Sequence, residues 1–206
     1  MASVRTVVLG STSAYRRGLL QRLRIPFETA SPQVAEDRLP GETPRALAQR
    51  LAQAKAADVA TRYPDALVIG SDQSAGVGER VLGKPGNHER AAEQLAALSG
   101  QSVVFHTGIC LIDTANGREW LDVVPYTVHV RELDAAEIER YLRLDQPYDC
   151  SGSFKSEGLG ASLFHRMEGD DPTALIGLPL IRLSTWLREA GLAMPPELAS
   201  AAGPID

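Results

Sequence analysis

The order of its apolar segments restricts this 206-residue chain most: short strand-like runs alternate with stretches whose apolar residues recur at helical spacing. Thr6 to Leu9 leads through Gly10-Ser11-Thr12-Ser13 into a stretch with Leu19, Leu20 and Leu23 on one face, which predicts strand, polar loop and helix. Ile25 to Thr29 reads as a second strand, followed by a loop over Pro32 to Gly41. Thr43 with Pro44 is an N-cap followed by a first-turn proline, and Leu47, Leu51 and Ala54 carry that helix to about Arg62. Ala66 to Gly70 reads as a buried strand ending at Ser71-Asp72-Gln73. Asn87 opens a helix that runs to Leu98 and stops at Gly100. Asn116-Gly117, between apolar runs at 103–112 and 120–130, marks a hairpin. Asp134 with Glu137 has the spacing of a capping box for a helix to Leu144. Leu159 to Arg166 reads as a strand, and Pro179 opens a last helix that stops at Gly191. The alternation, broken by one antiparallel hairpin, predicts an α/β fold with a mixed sheet in a single domain over 1–193, with 194–206 as a flexible tail.

Composition narrows the function classes. With 21 basic against 26 acidic residues the net charge is -5, which argues against a nucleic-acid polymer as partner. No apolar run approaches the length of a membrane span, so no membrane partner is expected. The two cysteines, Cys110 and Cys150, have neither metal spacing nor a disulfide framework, and no secretory leader is evident; a reducing cytoplasm is expected. The basic residues are eighteen Arg and only three Lys, at 55, 84 and 155. Base-composition bias explains such a ratio; so does retention of Lys where a compact ammonium is needed.

Four stretches carry groups suited to anions or proton transfer. Ser11 to Arg17 joins a strand to a helix, so its backbone N–H groups and the helix dipole favour an anion, with Ser11, Ser13 and Arg16 as side-chain donors. It equally reads as an ordinary capped helix. Asp72 lies where a buried strand is expected to end, the usual ligand edge of an α/β sheet, and an acid there can hold a divalent cation or take a proton from water; a turn Asp is the bland alternative. Gly83-Lys84-Pro85 presents Lys84 from a stiff loop, and Lys55 stands among Ala54, Ala56 and Ala57, where it faces either solvent or a ligand. Cys150 to Gly160 is rich in small residues around Lys155 and Glu157, which is binding-loop material or a flexible loop with a solvated charge pair. Glu36 is a candidate metal ligand, with Asp37 and Glu42 equally eligible by spacing. His88, His106, His129 and His165 lack ligand spacing, which argues against zinc.

Taken in order, these stretches resemble the Maf family of nucleoside triphosphate pyrophosphatases. The resemblance covers about residues 6 to 190: Ser11-Thr12-Ser13-x-Tyr15-Arg16-Arg17, Lys55, Gly70-Ser71-Asp72-Gln73, Gly83-Lys84-Pro85, His106-Thr107-Gly108, Cys150 through Gly158, and Gly177-Leu178-Pro179-Leu180. It is nearest the YceF-like subfamily, which acts on 7-methyl-GTP; members acting on dTTP and UTP usually have Thr at the position of Gln73 and differ at those of Tyr15 and Glu157. The resemblance implies an elongated Maf/inosine-triphosphatase-like mixed sheet with two lobes around a central cleft. It implies hydrolysis of a nucleoside triphosphate to the monophosphate and diphosphate with Mg²⁺, Mn²⁺ or Co²⁺, and a homodimer. By position Asp72 is the proton acceptor, Glu36 and Asp72 are near the metal, and Ser11, Ser13, Arg16, Lys55 and Lys84 hold phosphates. Tyr15, Gln73 and Glu157 read the base: methylation at N7 makes guanine cationic, which favours an aromatic face and a carboxylate. Three positions depart from the family: Ala14 replaces a usual Pro, Tyr15 a frequent Trp, and Ala35 an Asp found in many relatives. The rivals are a dTTP, UTP or other modified-nucleotide pyrophosphatase, and a non-catalytic nucleotide-binding regulator of cell division.

Overall fold

A computed structural model describes residues 5–196. In chain order it contains β1 (Thr6–Gly10), α1 (Ala14–Gln21), β2 (Glu28–Ala30), α2 (Pro44–Ala60), β3 (Ala66–Val77), β4 (Arg80–Leu82), α3 (His88–Leu98), β5 (Ser102–Asp113), β6 (Arg118–Val130), α4 (Ala135–Asp145), a 3₁₀ turn (Leu159–Leu163), β7 (Phe164–Glu168), α5 (Pro172–Ile176) and α6 (Leu180–Glu189). The expected helices are present with their caps: Thr43 accepts from Ala46 N, Asn87 from Arg90 N, and Asp134 and Glu137 close a capping box.

The seven strands form one mixed sheet in the order β2-β1-β3-β5-β6-β7, with β4 also on β3. β1 pairs in parallel with β2 and β3, and the remaining ladders are antiparallel. β3 is longer than expected. It does not end at Gly70 but continues through Ser71-Asp72-Gln73 to Val77, paired with β5 from Leu67 to Gly76. What ends at Gly70 is its other neighbour, since β1 stops at the Gly10–Gly70 pair and β4 joins only at Ala75. Residues 71–74 therefore have a free edge beside the last residue of β1, and Asp72 sits in mid-strand at the mouth of that notch.

Other boundaries moved for local reasons. β2 is confined to Glu28–Ala30 because Pro26 has no N–H for a ladder, while Ile25 is buried under α1. The strand expected over 159–166 begins as a 3₁₀ turn, because the chain folds over Lys155 at Gly160, where a Cβ would lie 3.0 Å from Lys155 N. β4, entered through Gly78 at φ +57°, and α5, capped by Asp171 ahead of Pro172, were not anticipated.

Among the described residues a small apolar cluster of Val8, Val59, Ala66 and Val68 lies under α2, and two large apolar cores lie at opposite ends of the long strands. One gathers Leu9, Ile69, Ile109, Leu111, Leu178, Leu183 and Trp186; the other holds Ala75, Phe105, Tyr126, Tyr141, Phe154 and Leu175. Between them β3 contributes Ser71 to Ser74 and β5 contributes His106, Thr107 and Gly108. This polar belt divides the molecule into two lobes on a shared sheet, in agreement with the expected fold class. Met194 packs against the first core, and residues 197–206, most of the expected tail, lie outside the described residues.

Helix α2 crosses the sheet at the belt unusually closely. A Cβ on Gly70 would stand 2.5 Å from Ala56 N, and one on Gly108 would stand 2.6 Å from the Ala48 carbonyl carbon. Glycine on the sheet and Ala48, Ala52 and Ala56 on the helix let the two backbones meet. Of the small neighbours of Lys55, Ala56 serves the approach of helix to sheet while Ala57 is exposed, and Lys55 itself is buried rather than solvent-facing.

Candidate active site

A cleft of about 600 Å³ opens between the lobes, and all ten residues expected at a site line it: Ser11, Ser13, Tyr15, Arg16, Glu36, Lys55, Asp72, Gln73, Lys84 and Glu157. Its centre is an ion-paired triad. Close packing of α2 on Gly70 and Gly108 puts Lys55 beside Asp72, on the same face of β3 as Gly70, with Lys55 Nζ 2.7 Å from Asp72 Oδ1. The same ammonium is 2.6 Å from Glu36 Oε1 in the 31–42 loop. Lys55, Arg16 and Lys84 together hold the Glu36 carboxyl below its ordinary range, the hydrogen bond from Lys55 contributing most.

Of the three acids that spacing left open, Glu36 is the one that lines the cleft. Glu42 faces away and is held by Arg50 at 2.6 Å, with the Leu39 N–H adding a hydrogen bond; its carboxyl is lowered to about 2. Asp37 does not line the cleft.

The β1–α1 loop forms the next wall. Ser13 Oγ caps α1 by accepting from Arg16 N at 3.4 Å, and buried Ser11 Oγ accepts from Ser13 N at 3.1 Å. Arg16 Nε donates to Gly177 O at 2.9 Å, which aims the guanidinium across the cleft. Burial lowers the Arg16 pKa while Asp72 and Glu36 oppose that shift.

Gln73 points to the opposite face of the sheet from Asp72. Its Nε2 lies 3.0 Å from Thr107 Oγ1, 2.9 Å from Ala174 O and 3.0 Å from Leu175 O. The amide nitrogen is committed to the protein, which leaves Oε1 as the group it offers a ligand. Tyr15 is about half exposed, and burial, then Cys150 and Glu157, raise its hydroxyl pKa. Glu157 is exposed, with Ser156 Oγ at 3.2 Å from its Oε2. Cys150 lines the cleft as an inert thiol, since burial and Asp149 push it up to about 12. Lys155 turns toward the C-terminus of α4, donating to Asp145 O at 3.1 Å.

Several supporting residues were given no role by the sequence, although Gly177 belongs to the Gly177-Leu178-Pro179-Leu180 motif. Gly177 O receives Arg16 and also lies 2.9 Å from Ser71 Oγ. Asp171 is buried and accepts from Thr173 N and Ile181 N, fixing α5 and α6 behind Gln73. Tyr148 ties the loop before residues 149–158 to the one carrying Lys84: its carbonyl accepts from Gly86 N, two residues after Lys84, and its hydroxyl is 3.0 Å from His88 Nδ1. Of these, Gly177 carried the signal of its motif and Asp171-Pro172 that of an N-cap before a first-turn proline.

Two carboxylates on one edge of the cleft suit a hard divalent cation whose remaining ligands are phosphate oxygens and water. Among the described residues no group of three or more His, Cys, Asp or Glu side chains is arranged to hold a metal by itself.

The chain was compared with known proteins. The model of the Maf-like protein family matches residues 6–190. A 7-methyl-GTP pyrophosphatase of Alkalilimnicola ehrlichii is 58% identical over 191 residues, covering 93% of this chain and 96% of its own length. A 7-methyl-GTP pyrophosphatase of Pseudomonas syringae pv. tomato is 54% identical over 190 residues, 92% of this chain and 99% of its own. Among solved structures, a HAM1 protein from Coxiella burnetii is 18% identical with a TM-score of 0.48, covering 90% of this chain and 100% of its own. With a family model spanning most of the sequence, and relatives more than half identical along nearly their whole length, the chain belongs to the Maf-like protein family.

Proposed function

We propose that this protein is a nucleoside triphosphate pyrophosphatase that converts 7-methyl-GTP and water to 7-methyl-GMP and diphosphate. The observation that carries the reading is the polarity of the cleft. One end has Arg16, Lys55 and Lys84 against Glu36 and Asp72, a surplus of one positive charge. The other has Asp149 and Glu157 against Lys155, a surplus of one negative charge, with Tyr15 beside them. A methylated guanine nucleotide has the complementary polarity, an anionic polyphosphate joined to a cationic ring. The names of the relatives described above support the same substrate.

In this reading Asp72 accepts a proton from water as the water oxygen attacks the α-phosphorus; the bond from that phosphorus to its bridging oxygen breaks, and diphosphate leaves. Arg16, Lys55, Lys84 and the N-terminus of α1 hold the phosphates. Tyr15 stacks on the ring, Glu157 accepts from the guanine N1–H and amino group, and Gln73 Oε1 offers an acceptor. Glu36 and Asp72 would hold a divalent cation (Mg²⁺, Mn²⁺ or Co²⁺), which would supply charge neutralisation at the polyphosphate. Cytoplasmic location and a homodimer belong to this proposal and rest on cysteine usage and on the family resemblance; light scattering tests the second. No helix among the described residues is long and apolar enough to cross a membrane.

The test is diphosphate release from 7-methyl-GTP, GTP, dTTP, UTP and CTP, with wild type and Glu157→Ala. Wild type should prefer 7-methyl-GTP. Loss of a charge-assisted hydrogen-bond pair should cost that substrate about 10- to 100-fold while sparing UTP. Equal losses on both would remove the base-reading role, and a dTTP or UTP preference would discard the substrate.

A further inference from the structure

Lys55 Nζ occupies the position of a cation. It is 2.6 Å from Glu36 Oε1 and 2.7 Å from Asp72 Oδ1, and its side chain is only 6% exposed. The two carboxylates suited to a metal are thus both already paired with one cation that the chain itself carries. Arg16 and Lys84 act on Glu36 from the same end of the cleft, so a free divalent ion would meet three cations and two occupied acids. Displacing Lys55 with nothing else present would strand a buried ammonium without a partner, which is strongly unfavourable. No alternative cage of three acidic, His or Cys side chains exists among the described residues.

We propose that Lys55 is a placeholder for the divalent cation: the free protein does not take up metal, and the site accepts it only together with the polyphosphate of the substrate. The inference rests on the proposed function for the nature of the anion, a polyphosphate chain, and not for the base attached to it. The negative charges of that chain reverse the sign of the field at the cleft. They give Lys55 a new partner, which releases Glu36 and Asp72, and their oxygens complete a coordination shell that two carboxylates cannot fill. Binding of metal and of polyphosphate is then strongly and reciprocally coupled.

Water-proton relaxation by Mn²⁺ tests this, because relaxation is enhanced when the ion joins a slowly tumbling protein. Wild-type protein with Mn²⁺ alone should give no enhancement. Adding inorganic tripolyphosphate should produce it, and calorimetry should find tripolyphosphate bound on the order of 100-fold more tightly with Mn²⁺ than without. Lys55→Met, which leaves the carboxylates without their ammonium, should bind Mn²⁺ with no tripolyphosphate present. Enhancement with wild type and Mn²⁺ alone would overturn the inference, as would none with tripolyphosphate, or none with a folded Lys55→Met. If that variant does not fold, the two wild-type measurements decide. Tripolyphosphate-dependent enhancement, with no diphosphate released from any nucleotide, would sink the proposed function and leave this inference standing.

Discussion

Gly108→Ala tests whether the approach of α2 to the sheet sets the catalytic geometry. The added Cβ would lie 2.6 Å from the Ala48 carbonyl carbon and 3.0 Å from Ala52 Cβ. Carbon atoms pack at about 3.5–4.0 Å, so the helix must retreat by about 1 Å. Both obstacles are backbone or a methyl fixed to it, and no side chain can swing aside. Overpacking of this kind costs up to about 3 kcal/mol, and at about 2–4 °C per kcal/mol for a domain of this size the melting temperature should fall by roughly 6–12 °C. Gly108 is the register partner of Asp72, so the retreat also draws Lys55 away from a carboxylate now 2.7 Å distant. A displacement near 1 Å at a reacting centre costs on the order of 100-fold. Thermal unfolding followed by circular dichroism reads the first effect, and kcat for diphosphate release well below the new melting temperature reads the second. A variant that melts within a degree of wild type, or that melts early yet keeps its kcat, would refute the link between helix approach and ion-pair geometry.

Three other substitutions probe separate parts of the structure. Asp72→Asn should lower kcat by about 100- to 10,000-fold, the usual worth of a general base, while calorimetry still detects nucleotide; retained turnover would remove Asp72 as the base. Glu42 has a carboxyl depressed from 4.5 to about 2 by Arg50, so its stabilisation is present above pH 4.5 and is lost as pH falls toward 2. Glu42→Gln should therefore be less stable than wild type in chemical denaturation at pH 7, with the gap closing through that acid window; a gap independent of pH would contradict the ion pair. Gly18→Ala, in α1 with open space around its position, should raise stability by about 0.5–1 kcal/mol; a loss would show a contact that the structure lacks.

The sequence made the helices readable because their signals are local. Thr43-Pro44, Asn87 and the Asp134/Glu137 pair each satisfy backbone groups within one turn, and those caps are all present. β3 misled for the opposite reason. Ser71-Asp72-Gln73-Ser74 has the composition of a loop and becomes strand because distant groups receive its side chains: Lys55 for Asp72, Gly177 O for Ser71, Thr107 and Ala174 O for Gln73. That Glu36 rather than Asp37 or Glu42 lines the cleft was equally invisible, since an Arg50 ion pair holds Glu42 elsewhere. Residue types at the cleft were legible from ordered motifs, but the direction of Gln73 and the double pairing of Lys55 are tertiary facts that no spacing encodes.

The continuous pairing of β3 through Asp72 has a consequence for how such a protein can diversify. The amides of β3 that pair with β5 around Asp72 belong to a twelve-residue strand roofed by α2, so they should exchange slowly, whereas those of residues 71–74 that face the free edge exchange without opening that ladder. Lys84 and Glu157 hang from irregular loops that can breathe, and be rebuilt by substitution, without disturbing that ladder. Mutational drift can retune which base is admitted long before it reaches the residues proposed to cleave the anhydride. An inactive descendant of this fold would more readily arise through loss of recognition than through loss of the reactive acid.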